Sequence, residues 1–247
     1  MGMKSWAHSL ALAALACGIS IPARADLVNN GTFSGTVPDN GGSYTEYSTG
    51  SSFATTGGGF QWTVNNGNVD WIGTYWTAPD GTRSATGEHS VDLDGNTPGG
   101  IRDTADGTVG GQMYLLSFDL AGNPDGPANE SVKTVSVSAG STTSPQTFTF
   151  NVANGVASGP NGSTAAGDPT SDAKMGWQLE SFLFVGDAGS TNFSFISGDT
   201  DPNSLYGAAI GNVSIVPFSR VTPEPGFYGL LAAGLAGIAI VRFRRSA

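Results

Sequence analysis

The chain has 247 residues, 20 of them acidic against 10 basic, for a formal net charge of −10 at neutral pH, and a single cysteine. An acidic chain without a basic patch excludes nucleic acid as a partner, because nothing would neutralise the phosphates. One cysteine excludes a disulfide-stapled scaffold and a thiolate metal site.

The first element predicted is a leader. Lys4, the apolar stretch Leu10 to Ile21 and Ala23-Arg24-Ala25 make the three parts of a secretory signal peptide over residues 1–25, with cleavage between Ala25 and Asp26. Cys17 falls inside it, so the mature chain has no cysteine. A lipoprotein role for Cys17 is the alternative, but Ala14 stands where a lipobox usually has Leu. From Asp26 to Pro225 all 20 acidic residues meet only five basic ones, a balance of −15. Acidity of this size speaks for solubility outside the cell, with binding of calcium or a cationic ligand as the functional alternative.

Residues 26–219 read as one all-β domain. Val135 and Val137 alternate with Thr134, Ser136 and Ser138; Phe148, Phe150 and Val152 alternate with Thr147, Thr149 and Asn151; each is the period of a half-buried strand. Further strands are predicted over Leu27 to Phe33, Phe60 to Val64, Val69 to Trp76, Met113 to Leu120, Trp177 to Val185, Asn192 to Ile196 and Ala209 to Val216, separated by Gly, Asn, Asp, Pro and Ser. Asn154 to Asp172 is rich in Gly, Ser and Ala and reads as a long surface loop. Many short strands without helical patterns between them predict antiparallel pairing and a β-sandwich.

Several stretches carry a resemblance. They are Leu27-Val-Asn-Asn-Gly-Thr-Phe33, Val69-Asp-Trp-Ile-Gly73, Ser90 to Gly95, Gly99-Gly100-Ile101, Phe118-Asp-Leu-Ala-Gly-Asn-Pro124, Met175-Gly-Trp177, Phe193-Ser-Phe-Ile-Ser197 and Ile210-Gly-Asn-Val-Ser-Ile215. From Leu27 to Val216 the chain resembles the choice-of-anchor C family, and is similar to a plant cell-wall family of unknown function. The resemblance implies a galactose-binding-like jelly-roll β-sandwich associated with extracellular polysaccharide; the carbohydrate part is an analogy of fold. Related carbohydrate-binding modules hold a structural calcium with acidic residues at two places where this chain has Ser34 and Asn212.

A second calcium candidate comes from spacing. Asp92, Asp94 and Asn96 place oxygen ligands at alternating positions, and Asp103 follows Asp92 by eleven residues, as in a calcium loop. Thr97 stands where such a loop needs Gly, and the bland reading is a strand ending in an Asp-Gly turn. Asp199-Thr-Asp201 repeats the alternation with less support.

For a ligand, Trp71, Tyr75 and Trp76 are the candidate stacking platform for a sugar ring, with Tyr75 and Trp76 expected at the surface beside the turn at Pro79-Asp80-Gly81. Trp62 and Trp177 complete the set of five rings, of which three are expected in the core. Arg102 and Asn123 are the candidate hydrogen-bonding partners. No catalytic residue is assigned. His89 is the one histidine of the mature chain and no Gly-x-Ser-x-Gly elbow occurs; paired carboxylates for glycoside hydrolysis are the residual enzymatic alternative.

The last element, residues 220–247, is an address. Pro223-Glu224-Pro225 precedes a 15-residue apolar run, residues 227–241, and Arg242, Arg244 and Arg245 follow as a basic stop. The run is shorter than the roughly 20 residues of an ordinary membrane span. This order resembles the PEP-CTERM sorting tail, whose motif is read by a membrane protease, exosortase. The resemblance implies a short transmembrane helix as a transient anchor in the inner membrane of a Gram-negative bacterium, and a mature protein at the cell surface or beyond it. The functions expected are, first, a non-catalytic carbohydrate-binding-like protein of exopolysaccharide or biofilm matrix; second, a structural or adhesion protein that contacts other proteins; and third, an enzyme on polysaccharide.

Overall fold

A computed structural model of the chain describes residues 25–38, 43–54, 61–201 and 204–218. The leader before Ala25, Pro223, Glu224, Pro225, the apolar run and Arg242, Arg244 and Arg245 lie outside the described residues.

Period-two patterns build the strands. The chain runs β1 (Gly35–Thr36), β2 (Tyr44–Ser48), β3 (Ser52–Phe53), β4 (Trp62–Asn66), β5 (Asn68–Ile72), β6 (Thr86–Gly87), β7 (Ser90–Asp92) and β8 (Gly100–Thr108). It continues with β9 (Met113–Gly122), β10 (Val132–Ala139), β11 (Gln146–Asn151), β12 (Val156–Gly159), β13 (Gly162–Ser163), β14 (Gln178–Val185), β15 (Gly189–Ser197) and β16 (Ala208–Pro217). One 3-10 turn, Ala128–Glu130, is the only helical element among the described residues. An eight-stranded sheet has the order β13-β12-β11-β10-β15-β8-β4-β3, and a six-stranded sheet the order β14-β9-β16-β7-β5-β2. All pairings are antiparallel. The strands β8, β9 and β10, and again β14, β15 and β16, alternate between the two sheets in the manner of a jelly roll.

Inward residues of the two sheets meet through aromatic rings. Phe118 of β9 lies edge-on to Phe148 of β11 at 5.0 Å and to Phe195 of β15 at 5.1 Å between centroids. Pairs of this geometry add about 1 kcal/mol each beyond their buried area.

The opening motif departs from expectation. Leu27 to Phe33 forms no strand, because Asn30 and Phe33 both adopt positive φ, 55° and 51°. The segment still binds the last strand: Leu27 N donates to Ile215 O, Val213 N to Gly31 O, and Ile215 N to the Asp26 carboxylate. The Asn30 side chain holds the bend, donating to Ser34 O and Ala54 O and accepting from Ser34 N. Val69 to Trp76 is a strand only to Ile72, after which a loop begins. Within the expected loop Asn154 to Asp172, β12 and β13 form a short hairpin, so that part is sheet and not loop.

Candidate functional site

The register of β2, β5 and β7 sets three acidic side chains in one row. Glu46 is the Cα partner of Asp70, and Asp70 that of Asp92. Val69, Trp71 and Val91 point into the core, so Glu46, Asp70 and Asp92 share the outer face of the six-stranded sheet. Loops after β5, after β9 and before β16 roof this face. Between them lies a cavity of about 590 Å³, lined by Tyr44, Glu46, Asp70, Tyr75, Asp125 and Tyr206 together with Asn96, Asn123 and the buried Asp92.

The floor is rigid. Asp92 accepts from Asp94 N at 3.0 Å, Gly207 N at 2.9 Å and Asn123 Nδ2 at 2.7 Å, so its carboxylate ties β7, β9 and the loop before β16 together. Burial nonetheless raises it well above the usual carboxylate range. Asp94 is fully buried and raised by the same cause, against the hydroxyls of Ser197 and Ser204. Lys133, on β10 of the other sheet, is buried beside this pair with its ammonium 5.6 Å from the centre of the Tyr206 ring. Burial lowers its pKa, while Asp92, Glu130, Asp199 and Asp94 pull it upward.

The walls are more polar. Asp70 is pushed up to about 7, first by burial and then by the charge of Glu46. Glu46 accepts from the Asn96 and Asn68 amides. Tyr75 donates its hydroxyl to Asp125 Oδ2 at 2.6 Å, which raises the phenol above its ordinary value. Its ring meets Tyr44 edge-on at 5.7 Å. Arg83 clamps the loop from outside by donating to the carbonyls of Thr74 and Tyr75. The site therefore offers aromatic faces and clustered acceptors, the combination that engages the C–H faces and hydroxyls of a polar ring.

The candidate aromatic platform is corrected in part. Trp71 and Trp76 are buried, at 4% and 1% exposure, with their indole N–H groups bonded to Phe33 O and Ser90 Oγ. They are walls of the core because an indole must bury its large apolar face and satisfy one N–H. Tyr75 and the buried Trp76 both line the cavity, and of the three rings only Tyr75 is half-exposed. Trp62 is buried as well, and Trp177 is partly exposed with its N–H on Thr77 O. Asn123 does line the site, but it is buried and used as a brace, bonding Asp92, Leu205 O and Asp125 N. Arg102 lies elsewhere, exposed on β8 of the eight-stranded sheet.

The calcium loop is not assembled. Asp92 and Asp94 are buried, Asn96 reaches outward to Glu46, and Asp103 sits in the other sheet opposite Phe193, raised to about 6 mainly by burial. Among the described residues no group of three or more His, Cys, Asp or Glu side chains could hold a metal ion. At the other candidate place Ser34 bonds Thr32, and Asn212 donates to Asp119. His89 is buried against Trp71 and bonds Gly35 O through Nε2; burial lowers its pKa.

Tyr44, Glu46, Asp70, Asp125 and Tyr206 entered the site without being singled out in the sequence. The alternation Tyr44-Thr45-Glu46 was the available signal for the first two; nothing local marks Tyr206.

Residues 26–216 match the pattern of DUF642, proteins of unknown function. The chain belongs to the DUF642 family. This is the plant cell-wall-associated family that its motifs resemble. The DUF642 chain is 29% identical over 198 residues to halomucin of Haloquadratum walsbyi, a match that covers 78% of this chain and 2% of halomucin. It thus spans a small fraction of that relative's length. Among solved structures, a family 35 carbohydrate-binding module from Clostridium thermocellum aligns with a TM-score of 0.37 and 11% identity, over 72% of the DUF642 chain and 99% of the module. A module of the same class from Paenibacillus barcinonensis aligns at 0.36 and 12% identity, over 70% and 99%. An exo-β-1,3-galactanase from Phanerochaete chrysosporium, solved with β-1,3-galactotriose, aligns at 0.37 and 14% identity, over 71% of this chain and 29% of the enzyme.

Proposed function

We propose that this is an exported, non-catalytic protein that binds a segment of extracellular polysaccharide in the cavity on the outer face of the six-stranded sheet. The observation that carries it is the pairing of half-exposed Tyr75 and Tyr44 with the acceptor row of Glu46 and Asp70 in one cavity of about 590 Å³. The jelly-roll manner of winding and membership of a cell-wall-associated family support the same reading. The leader and the PEP-CTERM tail carry the protein through the inner membrane to an exosortase-type protease and then to the surface, where it joins an exopolysaccharide or biofilm matrix. A glycan array followed by polysaccharide retention, with and without calcium, tests the binding; a protein that no glycan retains would be a matrix or adhesion component instead.

One observation favours a hydrolase as second reading. Asp70 keeps its proton to about pH 7 beside Glu46, and a proton-holding acid next to a carboxylate is what glycosidases use. Release of reducing ends that Asp70→Asn abolishes would establish it.

A further inference from the structure

We infer that the outer face of the eight-stranded sheet holds a second, separate site for an anionic polysaccharide bearing carboxylate or sulfate groups. Register lines up Thr63 of β4, Arg102 of β8, Ser194 of β15 and Ser138 of β10 in one outward row. At the interstrand spacing of roughly 4.8 Å the row is about 14 Å long, enough for more than one sugar. Above it lies a groove of about 400 Å³ whose lining includes Asn65, Arg102, Ser138, Asp187, Asn192 and Ser194.

Two of the acceptors that line the groove are already engaged. Asp187 accepts from both the backbone N and the hydroxyl of Ser141, and Asn192 Oδ1 accepts from the Thr104 hydroxyl. Asp106, the next carboxylate along the outward row of β8, stands four residues from Arg102, about 13 Å at strand rise.

Arg102 supplies the charge. Of the basic residues described, Lys174 pairs with Asp168, Arg83 is bound to loop carbonyls and Lys133 is buried. Arg102 is exposed mid-sheet, without a hydrogen bond or ion pair among the described residues. A guanidinium fork matches a carboxylate or sulfate bidentately, and the flanking serine and amide donors match ring and glycosidic oxygens. Carboxylate- and tyrosine-lined on one sheet, arginine-centred on the other, the two faces differ in the polymers they select.

Affinity electrophoresis of the purified protein through gels containing alginate, dextran sulfate or neutral dextran tests this. Retardation by alginate, dextran sulfate or both, and not by dextran, is expected; which polymer acts tells carboxylate from sulfate. Arg102→Gln is expected to weaken that retardation at least tenfold, Arg102→Lys to restore part of it, and Tyr75→Ala to leave it unchanged. A urea midpoint unchanged in Arg102→Gln shows that the fold is intact. No retardation by either anionic polymer, equal retardation of Arg102→Gln and the unaltered protein, or equal loss in Tyr75→Ala would overturn the second site. Loss of neutral-glycan binding in Tyr75→Ala concerns the first cavity alone.

Discussion

Asp70 stands directly opposite Glu46 across β5 and β2, and its burial, reinforced by the charge of Glu46, pushes its pKa up to about 7. Unfolded, Asp70 loses its proton near its ordinary value of 3.8. Between those pH values the folded state binds the extra proton, so stability falls as pH rises through the window. Asp103, raised to about 6, acts in the same direction. His89, lowered by burial, acts oppositely below its ordinary 6.5. Asp70→Asn is expected to stabilise the protein at pH 8 by on the order of 2 kcal/mol, after allowance for partial solvent screening, and to change little at pH 4. Urea midpoints at the two pH values check this.

Tyr75 is the half-exposed ring of the first cavity, and its hydroxyl is committed to Asp125. Tyr75→Ala is expected to cut glycan affinity about tenfold or more, as loss of a stacking face costs on the order of 1–2 kcal/mol. Tyr75→Phe should retain most of it. Titration calorimetry with the best array ligand separates the two.

Asp92 should behave as a structural brace and not as a ligand contact. Asp92→Ala strands Asp94 N, Gly207 N and the Asn123 amide in the interior, each at about 1–3 kcal/mol. A stability loss of about 4 kcal/mol is therefore expected, read from denaturant unfolding, with Asp92→Asn losing less.

Gly31 of the opening motif is required by contact and not by flexibility. A Cβ there would lie 1.8 Å from Val213 O, the carbonyl of the very residue whose N–H bonds Gly31 O. Gly31→Ala should separate the opening segment from β16 and lower stability by more than about 2 kcal/mol, seen as a drop in Tm.

Changing Pro223, Glu224 and Pro225 to alanine should leave the full-length protein unprocessed in the membrane fraction. Immunoblots of fractionated cells read this; unaltered processing would remove the sorting tail from the proposal.

Strand positions were legible where side chains alternate strictly, as in β10 and β11, because period two reflects which face meets the core. The opening motif misled because Asn30 and Phe33 take positive φ, a choice made by hydrogen bonds to Ser34 and Ala54 that no local pattern encodes. Trp76 looked exposed beside its turn, yet it is buried because its N–H reaches Ser90, fourteen residues on.

Residue types and their short-range order were enough to read an acidic, cysteine-free, all-β domain with a family resemblance from Leu27 to Val216. These follow from residue type and short-range order, which need no knowledge of partners. Which acidic and aromatic residues share a site depends instead on how the strands pair. Sheet register sets Glu46, Asp70 and Asp92 side by side from three separate stretches, and the same register sends Arg102 and Asp103 to the opposite sheet from Asp92 and Asn123. Pairing across strands is set by burial of the whole core at once, so spacing along the chain carried no trace of it.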